Sequence, residues 1–116
     1  MSSILGIGID VVAIDRFQES LERTPGLLKR VFTPNEAKLN ASSLAARFAA
    51  KEALAKALNA KAAFNWQKAE VVSEASGKPN FEFTGEMASR LANHRVHLTL
   101  SHDAGIASAM VIVEAI

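Results

Sequence analysis

The pattern of apolar and polar residues divides the chain into short strands and helices. An apolar run over Ile4–Ile9, which ends at Asp10 and is continued briefly by Val11 and Val12, is typical of a buried strand. Four helices are predicted next: one over Arg16–Glu22 capped by Asp15, one over Leu27–Val31, a short one that follows Thr33 and ends near Asn40, and one from Ser42 or Ser43 to about Asn59. They are followed by a hairpin of Glu70–Ala75 and Asn80–Thr84, a helix over Glu86–Asn93, and strands over Val96–Leu100 and Ile106–Val113. This order predicts an α+β fold with a mainly antiparallel sheet, in a single domain over residues 1–116.

The predicted central helix has no ordinary polar face. At 100° per residue, small residues form one stripe of it, namely Ala46, Ala50, Ala53 and Ala57. Arg47 and Lys51 fall inside a stripe of leucines, and Glu52 and Lys56 lie one turn apart between the two apolar faces. One interpretation places Arg47 and Lys51 at the edge of the core and makes Glu52 and Lys56 a surface ion pair. The other is a carboxylate flanked by cations in a cleft, which suits a metal ion and a phosphate ligand.

The glycines of the first strand invite comparison with a dinucleotide-binding loop. Gly6 and Gly8 have the first spacing of that motif, but Val11 stands where its third glycine belongs, and no helix follows directly. We therefore expect the two glycines to allow close packing against the small-residue stripe of the central helix.

Polar residues at the ends of strands are further candidates for chemistry. Asp10 is either the cap of the next turn or a paired or metal-bound carboxylate. Ser101, His102 and Asp103 are the residue types of a hydrolase triad, but neighbours on a strand point to opposite faces and cannot form one. His102 either binds an anion or satisfies a turn. Asp10 and Glu52 together suit Mg²⁺, which usually takes one or two carboxylates and substrate phosphates.

Composition narrows the function classes. The 116 residues are 49% hydrophobic, with 13 Lys and Arg against 12 Asp and Glu, so no large basic field is present to bind nucleic acid. The absence of cysteine excludes a disulfide framework and thiolate zinc sites. No signal-peptide pattern and no apolar run of membrane-span length occurs. We expect a cytoplasmic protein without a membrane segment.

Three motifs in order resemble those of the holo-acyl-carrier-protein synthase family, the small class of 4′-phosphopantetheinyl transferases. The first is Gly6-Ile-Gly8-Ile-Asp10. The central one is Arg47-Phe48-Ala-Ala-Lys51-Glu52-Ala-Leu-Ala-Lys56. The closing segments are Gly77-Lys78-Pro79 and His97-Leu-Thr-Leu-Ser101-His102. The resemblance covers nearly the whole chain.

The resemblance implies Mg²⁺-dependent transfer of the phosphopantetheine arm of coenzyme A to a serine of an apo acyl carrier protein, in fatty acid biosynthesis, with release of 3′,5′-ADP. Asp10 and Glu52 match the metal ligands, and Lys56 matches the lysine near the transferred phosphate. The general base is then either Glu52, directly or through a water on the metal, or Lys56.

The resemblance also implies contacts to the ligand and the partner. The residues expected to bind coenzyme A are Arg47, Lys51, Lys78, Ser101 and His102. Arg16 matches a basic residue that engages the acidic carrier protein. Small members of the family are trimers with active sites at subunit interfaces, so we expect a homotrimer.

One departure from the family leaves an alternative open. The loop after the central helix, Asn59–Ala63, has no glycine where the family often carries a glycine-rich turn, which puts coenzyme A contacts from this loop in doubt. The alternative function is a non-catalytic module of the same fold that binds coenzyme A or a nucleotide. A third possibility, a structural interaction domain, leaves Asp10 and the charges of the central helix unexplained.

Overall fold

The structure is a computed structural model that describes residues 3–60 and 64–116, so the end of the Asn59–Ala63 loop lies outside the described residues. Its elements are β1 (Ser3–Ala13), α1 (Ile14–Arg23), α2 (Leu27–Val31), a 3₁₀ turn (Glu36–Lys38), α3 (Ala41–Leu58), a second 3₁₀ turn (Trp66–Lys68), β2 (Ala69–Ser73), β3 (Pro79–Phe83), α4 (Gly85–Arg90), β4 (His94–Asp103) and β5 (Ile106–Ala115). The predicted α+β class with antiparallel pairing is confirmed. None of the helices in the described ranges is both long enough and apolar enough to cross a membrane.

The strands form two antiparallel sheets. β1, β5 and β4 make a three-stranded sheet in the order β1-β5-β4, and β2 pairs with β3 in a separate hairpin. The helix α3 lies across one face of the three-stranded sheet, against β1 and β5. Alternate residues of β5, such as Val111 and Val113, are buried under it.

The glycines of β1 set the distance between this strand and α3. A Cβ atom built on Gly6 would lie 1.9 Å from the carbonyl oxygen of Ala57, and one on Gly8 would lie 1.8 Å from that of Ala53. Only residues without a Cβ allow the strand and the helix backbone to approach this closely. The predicted packing of the two glycines on the small-residue stripe is therefore confirmed.

Two predicted helix caps are wrong. The N-cap of α3 is Asn40, whose side chain accepts a 2.9 Å hydrogen bond from the backbone N–H of Ser43, so neither Ser42 nor Ser43 caps the helix. Asp15 lies inside the first turn of α1 and makes no cap, because the chain enters α1 directly from the last paired residue of β1, Ala13.

The prediction that the first strand is buried is wrong for one of its faces. The sheet carries α3 on a single face, and the opposite face, which we call the outer sheet face, is exposed. Its large exposed apolar side chains are Ile4, Ile7, Ile9 and Val11 of β1 with Ile106 and Met110 of β5, whereas Leu5, at the irregularity of β1, lies beside Ala57 and Val113 on the α3 side. A continuous apolar patch of this kind marks an interaction surface.

Candidate active site

One cleft, which we call the carboxylate cleft, lies between β1, α1 and α3. It has a volume of about 280 Å³ and is lined by Asp10, Val11, Val12, Ala13, Arg16, Phe17, Ser20, Phe48 and Glu52. Asp10 follows Gly8 by two residues and therefore shares its face of β1, while Glu52 precedes Ala53 on the helix that Gly8 touches. The close approach of strand and helix thus brings Asp10 and Glu52 to one cleft, with the guanidinium-bearing Arg16 beside them.

Lys56 reaches the same cluster from the next turn of α3. Its Nζ atom donates to Asp10 Oδ1 at 3.0 Å and to the carbonyl oxygen of Ile9 at 2.9 Å. One of the two interpretations of the helix had paired Lys56 with Glu52 across one helical turn. The structure shows an ion pair of Lys56 with Asp10, which joins α3 to β1.

The carboxylate cleft fits a divalent cation whose ligands come partly from the protein and partly from a substrate. No group of three or more His, Cys, Asp or Glu side chains able to hold a metal occurs among residues 3–60 and 64–116. Two carboxylates are too few for a cage made by the protein alone. They are the usual number for Mg²⁺ that completes its shell with phosphate oxygens and water.

The second cleft, the arginine cleft, lies at the N-terminal end of α3. Its volume is about 430 Å³, and its lining residues are Asn40, Ser42, Ser43, Ala46, Arg47, Leu100 and His102. Arg47 and His102, which the resemblance assigns to coenzyme A phosphates, therefore share one cleft. The N-terminus of a helix also favours an anion through its dipole.

Arg47 is held at the wall of this cleft by β2. Its Nε donates to the carbonyl oxygen of Val71 at 3.3 Å, and Nη2 lies 3.5 Å from Ser73 Oγ. Burial lowers the pKa of the Arg47 guanidinium, and the nearby carboxylates of Glu36 and Glu70 oppose that shift. An arginine side chain remains a cation under such conditions and can bind phosphate oxygens.

Lys51 is not part of either cleft, which corrects both interpretations of it. Its side chain is fully buried, and Nζ donates to Glu36 Oε1 at 2.7 Å and to the carbonyl oxygens of Val31 and Trp66 at 2.8 and 2.9 Å. These bonds use all three N–H groups of the ammonium, so none remains for a coenzyme A phosphate. Burial lowers the pKa of Lys51, and the hydrogen bond that its ammonium donates to Glu36 opposes the shift.

Glu36 is the residue that sequence reasoning missed. The sequence predicted only a short helix that follows Thr33. In the structure Thr33 and Glu36 form a reciprocal capping box: Thr33 N–H donates to Glu36 Oε1 at 3.0 Å, and Glu36 N–H donates to Thr33 Oγ1 at 3.3 Å. The Thr-x-x-Glu spacing is the signal that could have placed Glu36 in a fixed, inward orientation.

Ser101 and Lys78 do not line either cleft within one chain. Ser101 pairs with Ser108 on the outer sheet face, opposite to His102, because successive side chains of β4 alternate between faces. Lys78 is exposed in the turn that joins β2 and β3. The structure therefore does not bring them to the residues that the resemblance groups with them.

Comparison with known proteins gives a consistent result. The family model described as the 4′-phosphopantetheinyl transferase superfamily matches residues 6–109. A relative from Streptomyces avermitilis, named holo-[acyl-carrier-protein] synthase, is 54% identical over 97% of this chain and 98% of its own.

Solved structures agree with the sequence relatives. The acyl carrier protein synthase of Mycobacterium tuberculosis is 36% identical, with a TM-score of 0.79 over 98% of this chain and 100% of that one. The holo-(acyl-carrier-protein) synthase of Bacillus anthracis, solved in complex with CoA (3′,5′-ADP), is 31% identical, with a TM-score of 0.80 over 97% and 98% of the two chains. The chain belongs to the 4′-phosphopantetheinyl transferase superfamily and, within it, to the holo-[acyl-carrier-protein] synthases.

Proposed function

We propose that this chain transfers the 4′-phosphopantetheine arm of coenzyme A to a serine of an apo acyl carrier protein, giving holo carrier protein and 3′,5′-ADP in fatty acid biosynthesis. The observation that carries the proposal is the placement of Asp10 and Glu52 in one cleft, with Lys56 bonded to Asp10. The arginine cleft lies at the N-terminal end of the same helix. A ligand with several phosphates suits two clefts of this chemistry.

The residues of the carboxylate cleft have different proposed roles in the transfer reaction. Asp10 and Glu52 would hold Mg²⁺, which neutralises charge on the pyrophosphate and on the leaving phosphate. Lys56 donates hydrogen bonds to Asp10 and Ile9, so it acts here as a cation that stabilises developing negative charge. Glu52 is then the better candidate for accepting the proton of the attacking serine, directly or through a water.

Arg16 is the proposed contact to the carrier protein. It lies on α1 at the edge of the carboxylate cleft, so a partner bound over α1 would present its serine to Asp10 and Glu52. Local cations such as Arg16 can attract an acidic partner although the formal net charge of the chain is only +1.

We also propose that the outer sheet face is a subunit interface and that the assembly is a homotrimer. Four large apolar side chains of β1 are more than half exposed on this face in one chain. Burial of such a surface in an oligomer is favourable. A neighbouring subunit would also allow Ser101 or Lys78 to contact coenzyme A at a shared active site.

The transfer reaction is tested by mass spectrometry of an apo acyl carrier protein incubated with this chain, coenzyme A and Mg²⁺. The expected result is a gain of one phosphopantetheine mass on the carrier, which is lost with a chelator and with a carrier whose acceptor serine is replaced by alanine. Binding of coenzyme A without transfer to any apo carrier would contradict the proposal and favour the non-catalytic module.

The proposed interface predicts that Ile9→Lys converts the trimer to monomers. Ile9 is 62% exposed on the outer sheet face of one chain, and an unpaired ammonium buried in an interface costs several kcal/mol. Light scattering after size-exclusion chromatography measures the mass. The matched control is Leu39→Lys, an exposed leucine outside this face, which should leave the trimer intact. A wild-type chain that is already monomeric would contradict the prediction.

A further inference from the structure

A buried ion pair joins α3 to the segment before it, away from both clefts. Lys51 and Glu36 are fully buried, and the side-chain atoms Nζ and Oε1 lie 2.7 Å apart. Buried ion pairs of this kind add little net stability, because desolvation offsets the attraction between the charges. We therefore consider what the pair holds in place, beginning with the Glu36 carboxylate.

The second oxygen of Glu36 holds the free edge of β2. Glu36 Oε2 accepts a 2.7 Å hydrogen bond from the backbone N–H of Val71. Val71 is paired with Phe81 of β3, yet its N–H bonds to Glu36 and its carbonyl oxygen accepts from Arg47 Nε. Both bonds lie on the edge of β2 that faces away from β3, as at a non-hydrogen-bonded pair of an antiparallel ladder.

A continuous path of contacts thus leads from the buried pair to the arginine cleft. Lys51 fixes one oxygen of the Glu36 carboxylate, the other oxygen fixes Val71, and the carbonyl of Val71 fixes the Arg47 guanidinium. Arg47 extends from α3 into the arginine cleft, and a second anchor holds its long side chain at the wall of that cleft. That anchor is a backbone carbonyl whose position depends on Glu36.

We propose that Glu36, held by Lys51, is a positioning residue that sets the Arg47 guanidinium for binding the phosphates of the nucleotide part of coenzyme A. The inference rests on the proposed function, which assigns those phosphates to the arginine cleft. Glu36 acts through Val71 and Arg47 and does not touch the ligand itself.

The test is the binding of 3′,5′-ADP by Glu36→Gln, measured by calorimetry, together with the kinetics of transfer. Glutamine keeps the shape of Glu36 but removes the charge that holds Lys51 and Val71. We expect the Kd for 3′,5′-ADP and the KM for coenzyme A to rise about tenfold, since a charged phosphate contact is weakened. The kcat should stay within about twofold, because the carboxylate cleft is unchanged.

A double-variant cycle separates positioning from general destabilisation. With Arg47→Ala in place, Glu36→Gln should cause no further loss of 3′,5′-ADP binding, since its route to the ligand is gone. Thr33→Val is the matched control: it removes the hydroxyl that bonds Glu36 N–H and Glu70 but keeps the backbone N–H that bonds Glu36 Oε1, so it should lower the Tm without weakening 3′,5′-ADP binding. If Glu36→Gln does not fold, Glu36→Met combined with Lys51→Met removes both charges and replaces it in the cycle.

The outcomes distinguish this inference from the proposed function. Arg47→Ala with unchanged 3′,5′-ADP binding would overturn the phosphate site itself, even if transfer to the carrier is observed. If Arg47→Ala weakens 3′,5′-ADP binding and Glu36→Gln leaves it unchanged, only the positioning role is overturned. The positioning role is also overturned if Glu36→Gln weakens 3′,5′-ADP binding by the same factor whether or not Arg47→Ala is present.

Discussion

Glu52→Ala is expected to lower the rate of phosphopantetheine transfer about a hundredfold or more while the protein stays folded. Glu52 lines the carboxylate cleft together with Asp10, and a metal contributes several kcal/mol by neutralising charge in a phosphate transfer. Loss of one of two carboxylates removes much of that contribution. The measurement is the initial rate of carrier modification at saturating coenzyme A, with circular dichroism as the check on folding.

A second measurement connects this loss to the metal. Binding of Mn²⁺ to the protein alone, followed by electron paramagnetic resonance, should weaken in Glu52→Ala, because the site keeps only Asp10. Glu86→Gln, an exposed acid in the first turn of α4, is the control and should change neither the rate nor the binding of Mn²⁺. Full transfer activity in Glu52→Ala would exclude the proposed metal role of this residue.

Local patterns were sufficient for the order of the elements. The apolar run of β1, the turn around Gly77 and the alternation of β4 are each signals that a few neighbouring residues carry. The contact of Gly8 with α3 was also predictable, since a small-residue stripe and a pair of glycines are complementary shapes. This one contact accounts for the meeting of Asp10 and Glu52.

The features that sequence reasoning placed wrongly depend on distant partners. Lys51 lies among the leucines of α3, and periodicity alone indicated a side chain that reaches outward. It points inward because Glu36 and two carbonyl groups from other segments satisfy its ammonium. The exposed face of β1 was missed for a related reason, since an apolar run does not show whether its second face is covered by the same chain or by another.

Gly8→Ala is expected to destabilise the fold by about 3 kcal/mol or more and to abolish transfer. The added Cβ would lie 1.8 Å from the carbonyl oxygen of Ala53 and 2.7 Å from its carbonyl carbon. Both atoms belong to the backbone, so β1 and α3 must separate as whole elements. That separation moves Asp10 away from Glu52 and breaks the 3.0 Å contact of Lys56 with Asp10.

Chemical denaturation measures the free energy of unfolding of Gly8→Ala, and Gly26→Ala is the control that adds the same methyl group elsewhere. Gly26 has a φ of +90° and nothing within 4 Å of an added Cβ. Its replacement should cost only the strain of a left-handed backbone, about 1–2 kcal/mol, and should leave transfer intact. Equal losses of stability in the two variants, or a Gly8→Ala protein that still transfers phosphopantetheine at the wild-type rate, would show that the close approach of β1 and α3 does not hold the two carboxylates together.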